Sequence, residues 1–120
     1  MSFTTVTQNG KTVAVISGGE AVLRDTQSAL ETLMRAKYEA GTSLLAVEQS
    51  AVAEPFFVLS TGLAGEMLQK LINYGGRIAI YGDFSAYTSK PLHDFMYESN
   101  RGRDVFFVPT LEETLQRLTA

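Results

Sequence analysis

Three short runs of uninterrupted apolar character limit what this chain can become: residues 43–48 (SLLAVE), 77–81 (RIAIY) and 105–108 (VFFV). A strand with one wet face alternates apolar and polar residues, whereas a strand covered on both faces does not. The runs are too short for helices, and stretches with apolar residues at every third or fourth position lie between them. Such a sequence reads as buried parallel strands joined by helical crossovers, which are right-handed almost without exception.

The N-terminal part adds an antiparallel pair. Residues 2–8 and 11–17 are rich in Thr, Val and other β-formers and flank Asn9-Gly10. Asn-Gly between two such runs marks a type I′ hairpin turn, because both central residues need positive φ. Ser17-Gly18-Gly19 then releases the chain. A helix is expected from about 21 to 40, with Leu23, Leu30, Leu33, Met34 and Tyr38 on its inner face and Gly41 as a left-handed cap. Glu54-Pro55-Phe56-Phe57 reads as a short helical turn with Pro55 at its first position.

A second helix is expected from Ser60-Thr61-Gly62 to Asn73, on a stripe of Leu63, Met67, Leu68, Leu71 and Ile72. A third, from about 89 to 100, presents Leu92, Phe95 and Met96, and Gly102 stops it. Thr110-Leu111-Glu112-Glu113 is a capping box: the Thr110 hydroxyl accepts from a first-turn N–H while Glu113 reaches back. It opens a final helix with Leu111, Leu115 and Leu118 inward. The expected order is ββαβαβαβα. That is a single α/β domain over residues 1–120, with a mixed five-stranded sheet of one antiparallel edge strand and four parallel strands.

Composition narrows the chemistry. The 120 residues include no cysteine and one histidine, and the formal net charge is −3. Disulfides, thiol nucleophiles and thiolate metal sites are excluded. The lone His93 cannot build a histidine metal site, so no metal or cofactor is expected. Mild acidity argues against a nucleic-acid partner, which needs a basic face to displace counterions. The segment MSFTTVTQNGK lacks the basic and apolar regions of a signal peptide, and no run approaches the ~20 apolar residues of a membrane span. A cytoplasmic protein without membrane contact is the expectation. Lys90, Arg101 and Arg103 are expected to cluster around the third helix, as the one place suited to an acidic partner.

In open parallel sheets, ligands gather at the carboxyl ends of the strands, beside helix N-termini. The loops there carry Glu48, then Asp83 and Ser85, then Thr88, Ser89 and Lys90. Glu48 and Asp83 follow successive strands, which puts their carboxylates on one rim. The helix starts at Ser60-Thr61-Gly62 and at Thr88-Ser89-Lys90 offer N–H groups and hydroxyls to an anion. Asp, Ser and Thr also serve at such places as ordinary turn and cap residues. His93 lies one turn into the third helix, beside inward-facing Leu92 and Phe95, and is expected at solvent or on the helix flank. As a general base it needs a nucleophile in reach, and Ser89 stands four residues earlier. Gly18-Gly19 lacks the spacing of a phosphate loop or of a dinucleotide fingerprint.

The segments TGLAGEMLQKLINY (61–74), IAIYGDFSAYTSKPLHDFMYESNRGRDVFFV (78–108) and LEETLQRL (111–118) resemble the bacterial domain-of-unknown-function family 4180. YTSK followed by DFMYESN-x-G carries the likeness most specifically, and the order and spacing of nearly the whole chain follow. This resemblance brings no activity with it. A second resemblance is to STAS-like (anti-sigma-factor-antagonist) domains, which begin with a strand hairpin. They carry an acidic residue at a strand end and a Ser-Ser-Gly-Leu run opening a helix. Glu48 and Ser60-Thr61-Gly62-Leu63 fall in comparable places, which makes Thr61 the implied phosphate acceptor. Leu59 stands where those domains usually have Asp, and the Pro55-Phe56-Phe57 turn is extra.

These readings together imply a small regulatory or protein-interaction module with a STAS-like fold, non-enzymatic, with a protein partner or a second copy of itself. The alternative is a binder of a small anionic ligand, or an enzyme, using the strand-end rim.

Overall fold

A computed structural model describes residues 2–18 and 20–120. Met1 and Gly19, the latter part of the expected release after the hairpin, lie outside the described residues. Among the described residues the elements are β1 (Ser2–Gln8), β2 (Lys11–Ser17), α1 (Thr26–Ala40), β3 (Leu44–Glu48), α2 (Leu63–Asn73), β4 (Arg77–Tyr81), α3 (Lys90–Asn100), β5 (Val105–Val108) and α4 (Leu111–Thr119). Three 3₁₀ turns, Gln49–Ala51, Glu54–Phe57 and Leu59–Thr61, fill the β3–α2 connection.

The sheet runs in sequence order, β1-β2-β3-β4-β5. β1 is antiparallel to β2, and β2 through β5 are parallel. The expected α/β architecture is therefore the observed one. Asn9 and Gly10 both have positive φ, 53° and 75°, as the hairpin turn requires.

Sequential parallel neighbours joined by crossovers of one hand collect their helices on one side. α1, α2 and α3 accordingly share the larger core, with Ala14, Ile16, Leu45, Val47, Ile78, Ile80, Val105 and Phe107 as its sheet floor. The opposite face shows Val13, Val15, Ala46, Ala79, Phe106 and Val108, and α4 covers it with Leu115 and Leu118. The central strands are thus covered on both faces, which is why their sequences do not alternate.

α1 starts at Thr26, five residues later than the apolar periodicity suggests. Asp25 and Ser28 form a reciprocal capping box: the Ser28 N–H donates to the Asp25 carboxylate at 2.8 Å, and the Asp25 N–H donates to the Ser28 hydroxyl at 3.0 Å. Leu23 is buried outside the helix, in a parallel bridge to Val52. The inner face of α1 is Ser28, Ala29, Thr32, Leu33 and Ala36, while Met34 and Tyr38 face solvent. Small side chains let the helix lie close to the sheet, so the buried stripe is not the most apolar one. Gly41 is left-handed at φ 63°, as expected.

Pro55 occupies the second position of its 3₁₀ turn, after Glu54, instead of the first. α2 begins at Leu63, after a separate 3₁₀ turn, and Ile72 leaves its expected inner stripe for the surface. At α4 the Thr110 hydroxyl accepts from the Glu113 N–H at 3.2 Å, which is the half of the expected box that forms. On the free side of β5 a side chain occupies one residue's backbone groups, those of Phe107. Asn100 accepts from the Phe107 N–H at 2.7 Å and donates to the Phe107 carbonyl at 3.0 Å.

Candidate functional site

At the carboxyl ends of β3 and β4 the chain leaves the sheet in opposite ways. After β3 it turns through Gln49–Ala51, and after β4 it passes Gly82 into the β4–α3 loop. Glu48 and Tyr81, the last residues of the two strands, are register partners. Between them opens a cleft of about 710 Å³ lined by Ala21, Glu48, Gln49, Ser50, Val52, Ala53, Glu54, Tyr81 and Gly82. Two carboxylates line it, and no lysine or arginine does.

Hydrogen bonds fix its wall. The Ser50 hydroxyl lies 2.8 Å from both the Glu48 carboxylate and the Gly18 carbonyl, sharing one proton between them. The Tyr87 hydroxyl donates to Glu54 at 2.9 Å and accepts from Gln49 Nε2 at 3.3 Å. Gly82 lies under Gln49: a Cβ at that position would sit 2.4 Å from Gln49 Oε1 and 2.7 Å from its Cβ. Burial raises the Tyr81 hydroxyl above its ordinary pKa, and the Glu48 charge adds to that. Burial is also the main cause of the upward shift at Tyr87; its bond with Gln49 opposes it and Glu54 adds to it.

The Tyr87 ring ties this cleft to a second concavity. It stacks on Phe57 with ring centres 4.9 Å apart, and Phe57 packs in turn against Phe56 and Phe84. Beyond the stack lies a groove of about 580 Å³ whose wall includes Phe57, Val58, Leu59, Ser60, Tyr87 and Pro91. Val58 is 52% exposed there.

The residues expected from the sequence disperse around these two features. Glu48 lines the cleft; Ser60, Thr88 and Ser89 line the groove. Ser89 also caps α3 by accepting from the Leu92 N–H at 3.3 Å. Asp83 accepts from the Ser85 N–H at 2.9 Å, and its bonds to Ser85 lower its pKa. That turn is exposed and apart from the cleft lining, so Glu48 and Asp83 share a rim but not a pocket. The Thr61 hydroxyl lies 2.9 Å from both the Pro55 and Val58 carbonyls and accepts from the Leu63 N–H at 3.2 Å. Gly62 beside it is left-handed at φ 77°. His93 is exposed, with Nε2 against the Tyr87 carbonyl. Lys90 pairs with Asp94 at 2.8 Å on the surface of α3.

The expected basic cluster does not form. Lys90 opens α3 and Arg103 lies beyond its end, and the helix between them is about 16 Å long. Arg101 instead stands over Tyr97. Arg103 lines a pocket with Arg77 and Arg117 near the amino ends of β4 and β5. Glu54 and Tyr81 line the cleft without having been among the residues expected from the sequence. The extra turn at Glu54-Pro55 was the available signal, because an insertion directly after a strand end lands on the rim.

Among the described residues, no group of three or more His, Asp or Glu is placed to hold a metal ion. No helix there is long and apolar enough to cross a membrane. No curated protein matches the chain. Among solved structures, a candidate anti-sigma factor antagonist from Thermotoga maritima is similar, at 14% identity and a TM-score of 0.47, covering 98% of this chain and 95% of its own. The family model described as a domain of unknown function, DUF4180, matches residues 8–118, and the chain belongs to that family.

Proposed function

We propose that this chain is a small regulatory or protein-interaction module whose partner docks on the strand-end rim. The supporting observation is the pairing of an acidic cleft with an apolar groove across the Tyr87–Phe57 stack. Glu48 and Glu54 each receive one neutral hydrogen bond, which leaves their remaining lone pairs for a cationic donor. A partner segment with Arg or Lys beside an apolar residue fits both features at once. A small anion would meet two carboxylates in the cleft, so the electrostatics disfavour the anionic-ligand alternative there.

Amide chemical-shift mapping with an acetylated Phe-Arg-Leu peptide and its Phe-Glu-Leu counterpart tests this. The expected result is shifts at residues 48–54, 81–82 and 87 with the Arg peptide alone, abolished in the Glu48→Gln/Glu54→Gln variant. Shifts there with the Glu peptide or with inorganic phosphate, and none with the Arg peptide, would overturn it.

A second reading, a switch at Thr61, is favoured by one observation. The exposed Thr61 hydroxyl ties down carbonyls of Pro55 and Val58, in the segment whose Phe57 and Val58 line the groove. A phosphate ester there removes the donated proton and places charge at the start of α2, where the helix dipole favours it. Incubation with a cognate kinase followed by mass spectrometry tests this, and an unmodified Thr61 under all conditions would sink it.

A further inference from the structure

The two borders of the sheet are finished differently. β5 has four residues, and the Asn100 side chain occupies both the N–H and the carbonyl of Phe107. β1 has seven residues in unbroken register with β2, without a bulge, a proline or a charged residue. Thr4, Thr5 and Thr7 are exposed along it. Monomeric sheets blunt such an edge with lysine, proline or a bulge.

The hairpin fixes which backbone groups face outward. Its type I′ turn makes Gln8 and Lys11 a hydrogen-bonded pair. Hydrogen-bonded and non-hydrogen-bonded pairs alternate along an antiparallel ladder. Gln8, Val6 and Thr4 therefore bond inward to β2, and the N–H and carbonyl groups of Phe3, Thr5 and Thr7 point away from it.

We propose that β1 pairs antiparallel with β1 of a second copy of this chain, about a two-fold axis through Thr5, to give one continuous sheet. In that register Thr5 faces Thr5, and Phe3 of each copy faces Thr7 of the other. All the outward N–H and carbonyl groups of these residues find partners without offset. On the α4 side, Thr4 of one copy stands beside Val6 of the other, a β-branched pair suited to a cross-strand contact. No like charges meet, because residues 2–8 carry none. This self-complementarity, together with the plug on β5, selects a second copy as the occupant and predicts a closed dimer, not an open fibre.

Sedimentation of the full chain over a range of concentrations tests this, with amide hydrogen exchange read in parallel. The expected result is a dimer, with protection at Phe3, Thr5 and Thr7 rising with concentration. Thr5→Pro removes one outward donor per copy and leaves the β1–β2 bonds intact. Thr5→Lys sets two ammonium groups face to face across the axis. Each variant is expected to weaken association by roughly tenfold or more, with Thr4 and Val6 amides still protected. If Thr5→Pro does not fold, Thr5→Lys alone decides. A chain that stays monomeric at millimolar concentration overturns the proposal, as does a dimer unaffected by Thr5→Lys.

Discussion

Gly82 shows how little room the rim allows. A methyl group added there would overlap the Cβ of Gln49, which is too close to its backbone to swing aside. Gly82→Ala is expected to cost about 1–3 kcal/mol, the usual scale of overpacking, read from the urea midpoint. Gln49 also donates to Tyr87, so the same substitution should loosen that hydroxyl. A second residue-scale test concerns Tyr81. Its pKa is raised by burial and by Glu48, so its neutral form is favoured in the fold. The stability it contributes is present below the ordinary tyrosine value of 10.0 and is lost as pH rises through the folded value. Glu48→Gln removes the charge and should move the Tyr81 phenolate titration to lower pH, measurable by phenolate absorbance in a chain with the other tyrosines replaced by Phe. An unchanged titration would mean that burial acts alone. Neither Gly82 nor Tyr81 announced this role in the sequence. Each depends on a partner brought from another segment, and a linear pattern carries no record of that.

Among the elements, strands were the most legible and α1 the least. The apolar runs of β3, β4 and β5 need cover on both faces, and few other structures provide it. α1 was misplaced because Leu23 extends the helical period backwards from Leu30, while Asp25 sets the actual start. Of its expected inner face Leu33 is buried, but Met34 and Tyr38 are exposed, and the other buried positions hold Ser28, Ala29, Thr32 and Ala36, which apolar periodicity passes over in favour of larger residues. Asp25 has its pKa lowered, first by the bond from the Ser28 N–H and then by the Ser28 side chain. The stabilisation from that shift is present above the ordinary value of 3.8 and is lost as pH falls through the folded value. Asp25→Asn keeps an acceptor at the cap without a titrating group, so its denaturation midpoint should fall less steeply on acidification below that value. At the other border of the sheet, Asn100→Ala strips Phe107 of both its hydrogen bonds. It should cost about 1–3 kcal/mol and raise the tendency to aggregate, followed by urea denaturation and light scattering.

At the scale of the molecule, the topology followed from the sequence, while the grouping of the candidate residues did not. Sequential neighbours and crossovers of one hand left few alternatives for α1 to α3. The expected residues fell into a cleft, a groove and a separate Asp83 turn, because the β3–α2 connection winds back across the strand ends. The basic residues likewise separated: Lys90 and Arg101 stand at opposite ends of α3, and Arg103 joins Arg77 and Arg117. The two faces of the sheet also differ in depth of cover: three helices on one, α4 alone on the other. Leu118 is fully buried on the thinner side, and Leu118→Ala should cost about 2–5 kcal/mol by chemical denaturation, with loss of α4 before the rest.

That single cover has a consequence for synthesis. Each strand from β2 to β5 pairs with the one made just before it, so the sheet and its three-helix face can assemble as the chain lengthens. α4 is made after all five strands and reaches back to β2 and β1. Until residues 111–119 have emerged, Val13, Val15, Ala46, Ala79 and Phe106 stand open to water on a nearly finished sheet. A ribosome paused between β5 and α4 would therefore present an adhesive surface, and a chaperone that binds apolar sheet faces would find its target in that interval.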